Sequence, residues 1–275
     1  MHLICDTLRY QRLNCFFRMT MKLRILGCSG GIGGDHLRTT ALRVDDDILI
    51  DAGTGVAALS IDELAAIDHV FITHAHLDHI AALPLMLDTI ADRRTSPLVV
   101  HGTAEVLEVL RRHIFNWAIW PDFAAIPSAD SPFMRYEPLV PGAAVDLGGR
   151  RLTALPVNHT VPAVGYWLDS GAGSLVFSGD TTICDAFWDA VNAIGNLRHL
   201  IIECAFPDRE ESLAVISRHL CPGMLASELL KLRRACAIHI THLKPLQMEL
   251  TMAEIDARLG EFAPRMLEND QVIEF

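Results

Sequence analysis

The stretch Thr73–His79, with the sequence THAHLDH, decides how the rest of this chain is interpreted. Three imidazoles and one carboxylate fall within six consecutive residues, directly after the apolar run His69–Ile72. A strand that ends in a tight loop would direct these side chains toward one point. Neutral imidazole and carboxylate are the ligands preferred by zinc and similar divalent cations. Because four such groups would be costly to desolvate without a cation, the stretch predicts a metal site rather than a merely polar loop.

Four further residues with the same chemistry each follow an apolar, β-branched segment of the chain. Such segments predict strands, and side chains at the ends of strands often meet at one edge of a sheet. The four residues are Asp51, His159, Asp180 and His242. The sequence thus predicts that residues far apart along the chain join the metal loop.

The order of these features resembles that of the metallo-β-lactamase superfamily: an early Asp, the H-x-H-x-D-H loop, a lone His, a Gly-Asp pair and a late His. The resemblance covers the chain from about Lys22 to its end. It implies the fold class α/β, as an αββα sandwich, with a dinuclear metal site at one edge. By position, the resemblance assigns His74, His76 and His159 to a first metal ion and Asp78, His79 and His242 to a second. It assigns Asp180 to a bridge between the two ions. Asp51 would fix the orientation of a ligand histidine.

The composition fits one globular domain. The chain has 275 residues, of which 51% are hydrophobic and 21% are charged, which is enough for a sizeable core. No uninterrupted apolar run reaches the roughly 18 residues that would suggest a membrane span. The net charge of −11 argues against a broad surface for DNA or long RNA, but two divalent cations would still attract a small anion.

The cysteines and the first residues bear on location and domain limits. Seven cysteines are scattered without a C-x-x-C pair, which indicates reduced thiols and hence a cytoplasmic protein.

Residues 1–20 interrupt their apolar pieces with charged side chains and lack the unbroken apolar stretch of a signal peptide. We expect them to be a poorly ordered leader or an extension before the natural start. Residues 21–275 are expected to form a single hydrolase domain.

Three segments narrow the resemblance to the class II 3′,5′-cyclic-nucleotide phosphodiesterases. They are the metal loop with Ile80, the aromatic segment His113–Phe123, and His239–Pro245 together with Ile202–Phe206. The aromatic segment discriminates most, since lactamases and glyoxalase II enzymes are not expected to carry it. Ala82 stands where that family usually has Gly, a departure that touches no ligand. The resemblance implies a small cyclic-nucleotide substrate, cyclic AMP or cyclic GMP, and a homodimer is the state often found in related enzymes.

The chemistry of phosphodiester hydrolysis suits such a site. The reaction needs an in-line nucleophile, neutralisation of charge on the phosphoryl oxygens and a proton for the leaving alkoxide. A hydroxide bound by two metal ions would serve as the nucleophile, and loss of the 3′ oxygen would give the 5′-monophosphate. Zinc is the first expectation for the two ions, and manganese or iron(II) is the alternative because His and carboxylate ligands serve all three.

His219 is the candidate proton donor to the leaving oxygen, because a positioned imidazole commonly fills that role. It precedes Pro222 and the helix predicted there, and its position resembles that of a histidine in related phosphodiesterases and tRNA 3′-processing enzymes. Glu203 would orient His219 or tune its charge. The structural alternatives are a capping or surface histidine and a strand-end carboxylate in a salt bridge, and the sequence leaves them open.

Two segments have both a structural and a functional interpretation. Of the four rings of the aromatic segment, we expect one at the site, where it would wall a purine pocket, and the others in the core. The rings are those of Phe115, Trp117, Trp120 and Phe123, with Asn116 or Asp122 as candidates for the base edge. The glycine-rich stretch Gly27–Gly34 matches neither a dinucleotide fingerprint nor a Walker loop, so it predicts a tight turn whose amides could also seat an anion.

Apolar periodicity predicts strand groups interleaved with helices, as in a layered α/β protein. Helices are expected at residues 80–91, 104–113, 185–194, 222–235 and 252–262. Five histidines in or beside these elements are expected to be satisfied structural side chains: His69, His101, His113, His199 and His239.

Three functions compete. The leading one is a metal-dependent cyclic-nucleotide phosphodiesterase. The second is a tRNA 3′-processing nuclease of the same superfamily, which would need an RNA-binding arm and a basic surface that the sequence does not clearly offer. The third is a non-catalytic binding module of the same fold. That module would be expected to lack ligands, yet all seven expected metal-site residues are present.

Overall fold

The computed structural model describes residues 20–275. The leader predicted for residues 1–20 lies, apart from Thr20, outside the described residues. The strands are, in chain order, β1 (Lys22–Gly27), β2 (Ala41–Val44), β3 (Ile48–Ile50), β4 (His69–Phe71), β5 (Leu98–Gly102), β6 (Pro127–Ser128), β7 (Ser131–Pro132), β8 (Met134–Pro138), β9 (Ala144–Leu147), β10 (Arg150–Pro156), β11 (Val164–Asp169), β12 (Ser174–Phe177), β13 (Leu197–Glu203), β14 (Ala237–Thr241), β15 (Arg265–Met266) and β16 (Val272–Glu274).

Eight α-helices connect or flank these strands within residues 20–275. They are α1 (Ile61–Ala66), α2 (Leu77–Ile80), α3 (Leu83–Ile90), α4 (Ala104–Val109), α5 (Asp185–Ala193), α6 (Glu211–Ser217), α7 (Pro222–Leu229) and α8 (Met248–Leu259). Short 3₁₀ turns cover Thr54–Ala58, Ala91–Arg93, Asp208–Glu210 and Gly260–Phe262, and a π-helical turn covers Leu110–Ile114.

Two seven-stranded sheets form the middle of the molecule. The first has the strand order β16-β1-β2-β3-β4-β5-β8, and the second has the order β15-β14-β13-β12-β11-β10-β9. In each sheet one half is antiparallel and the other half is parallel. The parallel halves matter for function, because parallel strands end at a common edge where their following loops can meet.

Three apolar clusters hold the layers together. The inner cluster packs the two sheets face to face and includes Phe71 and Tyr166, whose rings meet edge to face at 5.7 Å. One outer cluster joins α3 and α4 to the first sheet, and the other joins α5, α7 and α8 to the second sheet. Helices therefore cover both outer faces of a two-sheet sandwich, and the predicted αββα architecture is confirmed.

The element limits differ from the sequence-based expectation in several places. The helix expected from residue 80 begins earlier, at Leu77, and is interrupted before α3, where Pro84 occupies the first turn. The helix expected to reach residue 235 ends at Leu229. Asn192 explains that early end, because its side chain bonds the backbone of Lys231 and Arg233 in place of helical partners, at 2.9 and 2.8 Å.

Some elements were missed in the sequence. α1 was missed although Ser60 and Glu63 form a reciprocal capping box at its start. Strands β8, β9, β15 and β16 were missed because they are short or lie at sheet edges, where a strong alternation of apolar residues is not required.

Four of the five histidines expected to be structural lie in two pairs between adjacent parallel strands. His69 Nδ1 is 3.0 Å from His101 Nε2 in the first sheet, and His199 Nδ1 is 3.2 Å from His239 Nε2 in the second. The expectation that they are satisfied was wrong in part, because the Nδ1 atoms of His101 and His239 are buried without a hydrogen-bond partner among residues 20–275. His113 is exposed.

Candidate metal centre

The candidate site lies where strands of both sheets end. In the first sheet, β3 is followed by Asp51 and β4 by the metal loop 73–79. In the second sheet, β12 and β14 flank β13 in parallel and lead into Asp180 and His242. His159 follows β10 in the same sheet. The structure thus brings together the seven residues that the resemblance assigns to metal ions, in two groups that share Asp180.

The metal loop turns from strand to helix within the motif itself. His76 has extended backbone angles (φ −71°, ψ 148°) and directly precedes α2. Asp78 and His79 then lie in the single turn of α2. Residues on opposite sides of this transition can face two different groups, which is why one short motif contributes to both.

The first group consists of three imidazole nitrogens and one carboxylate oxygen. His74 Nε2 lies 3.1 Å from His76 Nδ1, and His159 Nε2 lies 3.2 Å from the same Nδ1 atom. Asp180 Oδ2 is 3.5 Å from His74 Nε2 and 3.9 Å from His159 Nε2.

The second group uses the other oxygen of Asp180. Asp180 Oδ1 lies 3.4 Å from His79 Nε2 and 3.3 Å from His242 Nδ1. Asp78 Oδ2 completes the group, at 4.0 Å from His79 Nε2 and 3.8 Å from His242 Nε2. One carboxylate therefore faces both groups with one oxygen each.

These spacings fit a divalent cation in each group. A tetrahedral ion with arms of about 2.0–2.1 Å separates its ligand atoms by roughly 3.3 Å, which is close to most of the separations above. His79 Nε2 and His242 Nδ1 are also buried without a hydrogen-bond partner among residues 20–275. Buried imidazole nitrogens are costly to leave unpartnered, and a bound cation would satisfy them.

Buried partners fix the orientation of the ligand rings. Asp51 is fully buried, and its Oδ2 atom lies 2.7 Å from His79 Nδ1, so the opposite nitrogen of that ring faces Asp180. Thr73 donates its backbone N–H and its hydroxyl to the same carboxylate, at 2.7 and 2.8 Å. The Thr73 hydroxyl also lies 3.0 Å from His74 Nδ1. Such contacts set the tautomer and aim of a ligand imidazole.

A second orientation contact involves an unusual backbone. His159 Nδ1 lies 3.0 Å from the carbonyl oxygen of Arg218, and Arg218 in turn donates its guanidinium to the carbonyl of His159 at 2.7 Å. Arg218 adopts a left-handed backbone, with φ 53°. A non-glycine residue in this region costs free energy, so the contact is maintained against local strain.

Four of the five ligand imidazoles have pKa values shifted toward the neutral form that metal binding requires. His79 differs, because burial disfavours its charged form but the carboxylates of Asp180 and Asp51 outweigh burial and raise its pKa. Burial, reinforced by the neighbouring His79, holds the pKa of His74 well below its usual value, and burial likewise lowers that of His242. Burial lowers the pKa of His159 to about 4. Neutral rings present free lone pairs near neutral pH, so the groups are ready to accept cations.

His219 and Glu203 form a pair beside the two groups. His219 Nδ1 lies 2.7 Å from Glu203 Oε1, and Glu203 is fully buried at the end of β13. The His219 ring stacks on His242 at 5.1 Å and meets His159 edge to face at 5.0 Å. Burial disfavours the charged imidazole, but the Glu203 carboxylate outweighs that effect and raises the pKa of His219. The His219 ring thus contacts residues of both groups.

The aromatic segment divides between core and surface. Phe115 and Phe123 are buried in the outer cluster under α3 and α4, whereas Trp117 is 64% exposed. Asn116 is engaged within its own loop, because its Oδ1 accepts the N–H groups of residues 118 and 119, at 3.0 and 2.8 Å. Asp122 similarly accepts the N–H of residue 124. The carbonyl of Asn116 and one oxygen of Asp122 are therefore engaged within the loop rather than with a base edge.

Three contributors were missed in the sequence. Thr73 and the Arg218 carbonyl act through hydrogen bonds, and Lys244 lies with its ammonium 3.4 Å from His242 Nε2. A backbone carbonyl leaves no sequence signal. Two sequence positions could have indicated the other contributors. Thr73 directly precedes the metal loop, and Lys244 follows His242 by two residues.

Among residues 20–275, no helix has the length and apolar character needed to span a membrane.

Sequence comparisons agree with the geometry. A family model described as "Beta-lactamase superfamily domain" matches residues 46–259. The chain is 27% identical over 270 residues to a probable 3′,5′-cyclic-nucleotide phosphodiesterase of Yersinia pestis, covering 80% of this chain and 77% of that protein. It is 25% identical to the 3′,5′-cyclic-nucleotide phosphodiesterase of Aliivibrio fischeri, covering 74% and 73%. It is 29% identical to ribonuclease Z of Mycobacterium bovis, but only over 56% of this chain and 59% of that protein.

Structural comparisons show the same fold. Unliganded yeast PDE1 superimposes with a TM-score of 0.77 at 19% identity, covering 92% of this chain and 99% of that one. The metallo-β-lactamase fold protein YhfI from Bacillus subtilis gives a TM-score of 0.74 at 18% identity, covering 93% and 99%. The family match spans most of the chain, and the site presents the His and Asp groups of a metal-dependent hydrolase. The chain belongs to the beta-lactamase superfamily and is a metal-dependent hydrolase of that fold.

Proposed function

We propose that the protein hydrolyses 3′,5′-cyclic nucleotides, cyclic AMP or cyclic GMP, to 5′-monophosphates. The observation that carries the proposal is the position of the His219–Glu203 pair against both candidate metal groups. An acid beside two cation sites suits a substrate with a charged phosphoryl group and a poor alkoxide leaving group. Similarity to cyclic-nucleotide phosphodiesterases over about three quarters of their length supports this substrate class.

The proposal assigns a role to each residue of the site. His74, His76 and His159 would hold one ion, Asp78, His79 and His242 would hold the other, and Asp180 would contribute to both. Zinc is the proposed metal, with manganese or iron(II) as the alternatives for the same ligands. Bound there, two divalent cations supply Lewis acidity toward the phosphoryl oxygens and lower the pKa of an attacking water.

The protein side chains keep this site rigid. Asp51 holds the His79 ring through a 2.7 Å contact, and it is itself held by two hydrogen bonds from Thr73. The Arg218 carbonyl holds His159 in the same manner. Because these two rings are oriented before substrate arrives, less reorganisation is needed during the reaction.

His219 is the proposed proton donor. Its Nδ1 atom faces Glu203, so its Nε2 atom is the one left to give a proton to the leaving 3′ oxygen. Glu203 is fixed by the backbone N–H groups of Thr181 and Ala205, each at 3.1 Å. A buried carboxylate of this kind keeps the imidazole charged and correctly turned, as general acid catalysis requires.

The cysteines bear on the cellular location of the protein. We infer a single hydrolase domain over residues 21–275 and a cytoplasmic location. Five cysteines lie within residues 20–275, and none of them is paired in a disulfide there. Reduced thiols accord with a reducing compartment. A homodimer, the state inferred from related enzymes, is part of the same proposal.

Ribonuclease Z relatives make tRNA 3′ processing the second candidate. The net charge of −11 argues against it, because a long RNA needs a positively charged surface to neutralise its phosphates. The small cyclic nucleotide makes no such demand. The cyclic-nucleotide proposal is therefore preferred.

The test is hydrolysis of cyclic AMP and cyclic GMP by purified protein of known metal content. Bis(4-nitrophenyl) phosphate and a precursor tRNA are run alongside, and products are identified by chromatography. We expect conversion to the 5′-monophosphate, its loss in Asp78→Ala, and its retention in Asp88→Ala, which alters an exposed carboxylate on α3. Turnover of the aryl diester alone would withdraw the cyclic-nucleotide assignment, and cleavage of the precursor tRNA alone would replace it with the ribonuclease.

A further inference from the structure

The glycine-rich turn Gly27–Gly34 is docked against the end of β14. His242 N donates to the carbonyl of Cys28 at 2.8 Å, and Gly30 N donates to the carbonyl of Leu243 at 3.0 Å. A Cβ atom on Gly30 would lie 2.4 Å from the carbonyl oxygen of His242 and 3.0 Å from Cδ of Lys244. Only glycine permits this approach, so the turn and the Lys244 stem lie together at the metal edge.

The ammonium of Lys244 is held at this edge with donors to spare. It donates to the carbonyl of Gly30 at 2.9 Å and lies 5.8 Å from the centre of the Phe206 ring. An ammonium has three N–H donors; the Gly30 carbonyl accepts one, His242 Nε2 lies within reach of a second at 3.4 Å, and at least one remains. If the fold neutralised the charge of Lys244, a carboxylate would be expected beside its ammonium. Among residues 20–275, no carboxylate lies within 4.0 Å of Lys244 Nζ.

The position of this charge relative to the site is defined by His242 and His219. Lys244 Nζ is 3.4 Å from His242 Nε2, and His242 stacks on the proposed proton donor His219. The ammonium therefore lies on the wall of the site that holds the acid and the second metal group.

Arg218 is a second cation near the site. Its Nη1 atom donates to the carbonyl of His159 at 2.7 Å and to Asn158 Oδ1 at 3.3 Å, so it supports a ligand ring of the first group. Lys244 differs from Arg218 in its position, because its ammonium lies beside His242 of the second group.

We propose that Lys244 binds a non-bridging oxygen of the substrate phosphate and makes the site selective for anionic phosphodiesters over neutral esters. The inference rests on the proposed phosphodiesterase function. An ammonium held beside two cation sites adds a charged hydrogen bond that only an anionic oxygen can fully use. The three-donor head suits this role, because one donor keeps the side chain fixed to the glycine turn while a remaining donor can reach the phosphate.

A purely structural role for Lys244 makes a different prediction. If the side chain only ties the glycine turn to β14, its loss would disturb the position of His242. Metal content, thermal stability and turnover of every substrate would then fall together. A phosphate-binding role changes the discrimination between charged and neutral substrates.

The experiment compares two substrates that share a leaving group. Bis(4-nitrophenyl) phosphate is an anion, and its methyl triester is neutral. In metal-loaded Lys244→Met, which keeps the apolar stem, we expect the ratio of kcat/KM for diester over triester to fall about 10- to 100-fold, mainly through KM. Lys244→Arg should recover most of the ratio, and Lys22→Met, which alters an exposed lysine of β1, should keep it.

A binding measurement does not depend on turnover. Calorimetry of inorganic phosphate with metal-loaded protein should show weaker binding in Lys244→Met by a similar factor, at unchanged metal content. An unchanged diester-to-triester ratio together with unchanged phosphate binding would overturn the inference, and so would loss of metal in the Met variant. If the wild type cleaves neither ester nor a cyclic nucleotide, the proposed function fails, and phosphate binding alone decides the role of Lys244.

Discussion

Histidines at the metal edge and histidines between the sheets are both largely removed from solvent but are held in opposite ways. At the edge, ring nitrogens of His74 and His159 converge on His76 Nδ1 at 3.1–3.2 Å, and the Arg218 carbonyl fixes the direction of the His159 ring from behind. Between the sheets, His69–His101 and His199–His239 meet one to one, with no carboxylate within 4.0 Å of either pair among residues 20–275.

The difference shows that burial alone does not make a histidine a ligand. Two paired imidazoles can share one proton in a hydrogen bond, so the two facing ring nitrogens are satisfied without a cation. Three nitrogens and a carboxylate that face one point cannot all be satisfied by shared protons. Convergence with a fixed orientation, rather than depth in the fold, is the property that points to a cation.

The largest expected effect comes from removing the carboxylate shared by both metal groups. Asp180→Asn should lose bound metal and reduce kcat/KM by more than about 10³-fold, because both sites lose a charged ligand and with it the stabilisation of the reacting phosphate. Elemental analysis and initial rates provide the measurement. Asp189→Asn, on the exposed side of α5, is the matched control. Full metal content in Asp180→Asn would remove the distinction between edge and interior histidines.

The next effect concerns His219, which lies at the edge but is paired with a single partner, as an interior histidine is. His219→Gln should lower kcat for a cyclic nucleotide about 10²- to 10⁴-fold and leave metal content near the wild-type value. Bis(4-nitrophenyl) phosphate should be affected far less, since its leaving group needs no proton. Equal losses on both substrates would argue against the proton-donor role, and loss of metal would place His219 among the ligands.

A smaller effect is expected from the residue that orients a ligand ring from behind. Asp51→Asn should weaken metal binding about 10- to 100-fold, as measured by competition with a chelator. Asn tolerates the left-handed backbone at this position, where φ is 56°, so the substitution tests the charge rather than the fold. Asp45→Asn is the control, because Asp45 has φ 48° and pairs with Arg150 away from the site. Equal affinities in the two variants would contradict the orienting role.

The smallest expected effect is the pH dependence of the free energy of unfolding that comes from His101, a member of an interior pair. Burial, reinforced by His69, lowers the pKa of His101 to about 4. The unfolded chain binds the proton near pH 6.5, so the stability that His101 contributes above that pH is lost as the pH falls toward 4. With solvent screening, the loss should be about 2 kcal/mol.

Urea unfolding of metal-free protein at several pH values measures this loss. His101→Phe should show the weaker dependence on pH, because a phenyl ring can keep the stack on Phe71, now at 4.2 Å, without titrating. Metal-free protein is used because acid also releases metal ions. Parallel curves for wild type and variant would show that the interior pair does not titrate within the fold.

Much of the candidate site could be predicted from the sequence, because the ends of the strands can be recognised in it. The metal loop, Asp51, Asp180 and His242 each follow an apolar β-branched run, so their convergence could be predicted from the parallel strands. The confirmed αββα sandwich was implied by the resemblance to the metallo-β-lactamase superfamily, whereas the apolar pattern alone predicted a layered α/β protein. The ligand roles themselves remain a prediction that the geometry supports.

The remainder depends on tertiary contacts that have no local signature. The early end of α7 results from Asn192, on a different helix, and the orientation of His159 results from a backbone carbonyl far along the chain. His219 and Glu203 were each assigned a structural alternative, and only the fold shows that they contact each other. The aromatic segment was also ambiguous, because burial of Phe115 and exposure of Trp117 depend on how the loop closes.

Each candidate metal group takes ligands from both sheets: the metal loop comes from the first sheet, and His159, Asp180 and His242 come from the second. A cation in either group would therefore act as a cross-link between the two halves of the sandwich. At a free concentration about a thousandfold above Kd, a bound ligand adds about 4 kcal/mol to the free energy of unfolding. Metal supply would then control how long the protein survives as well as how fast it works.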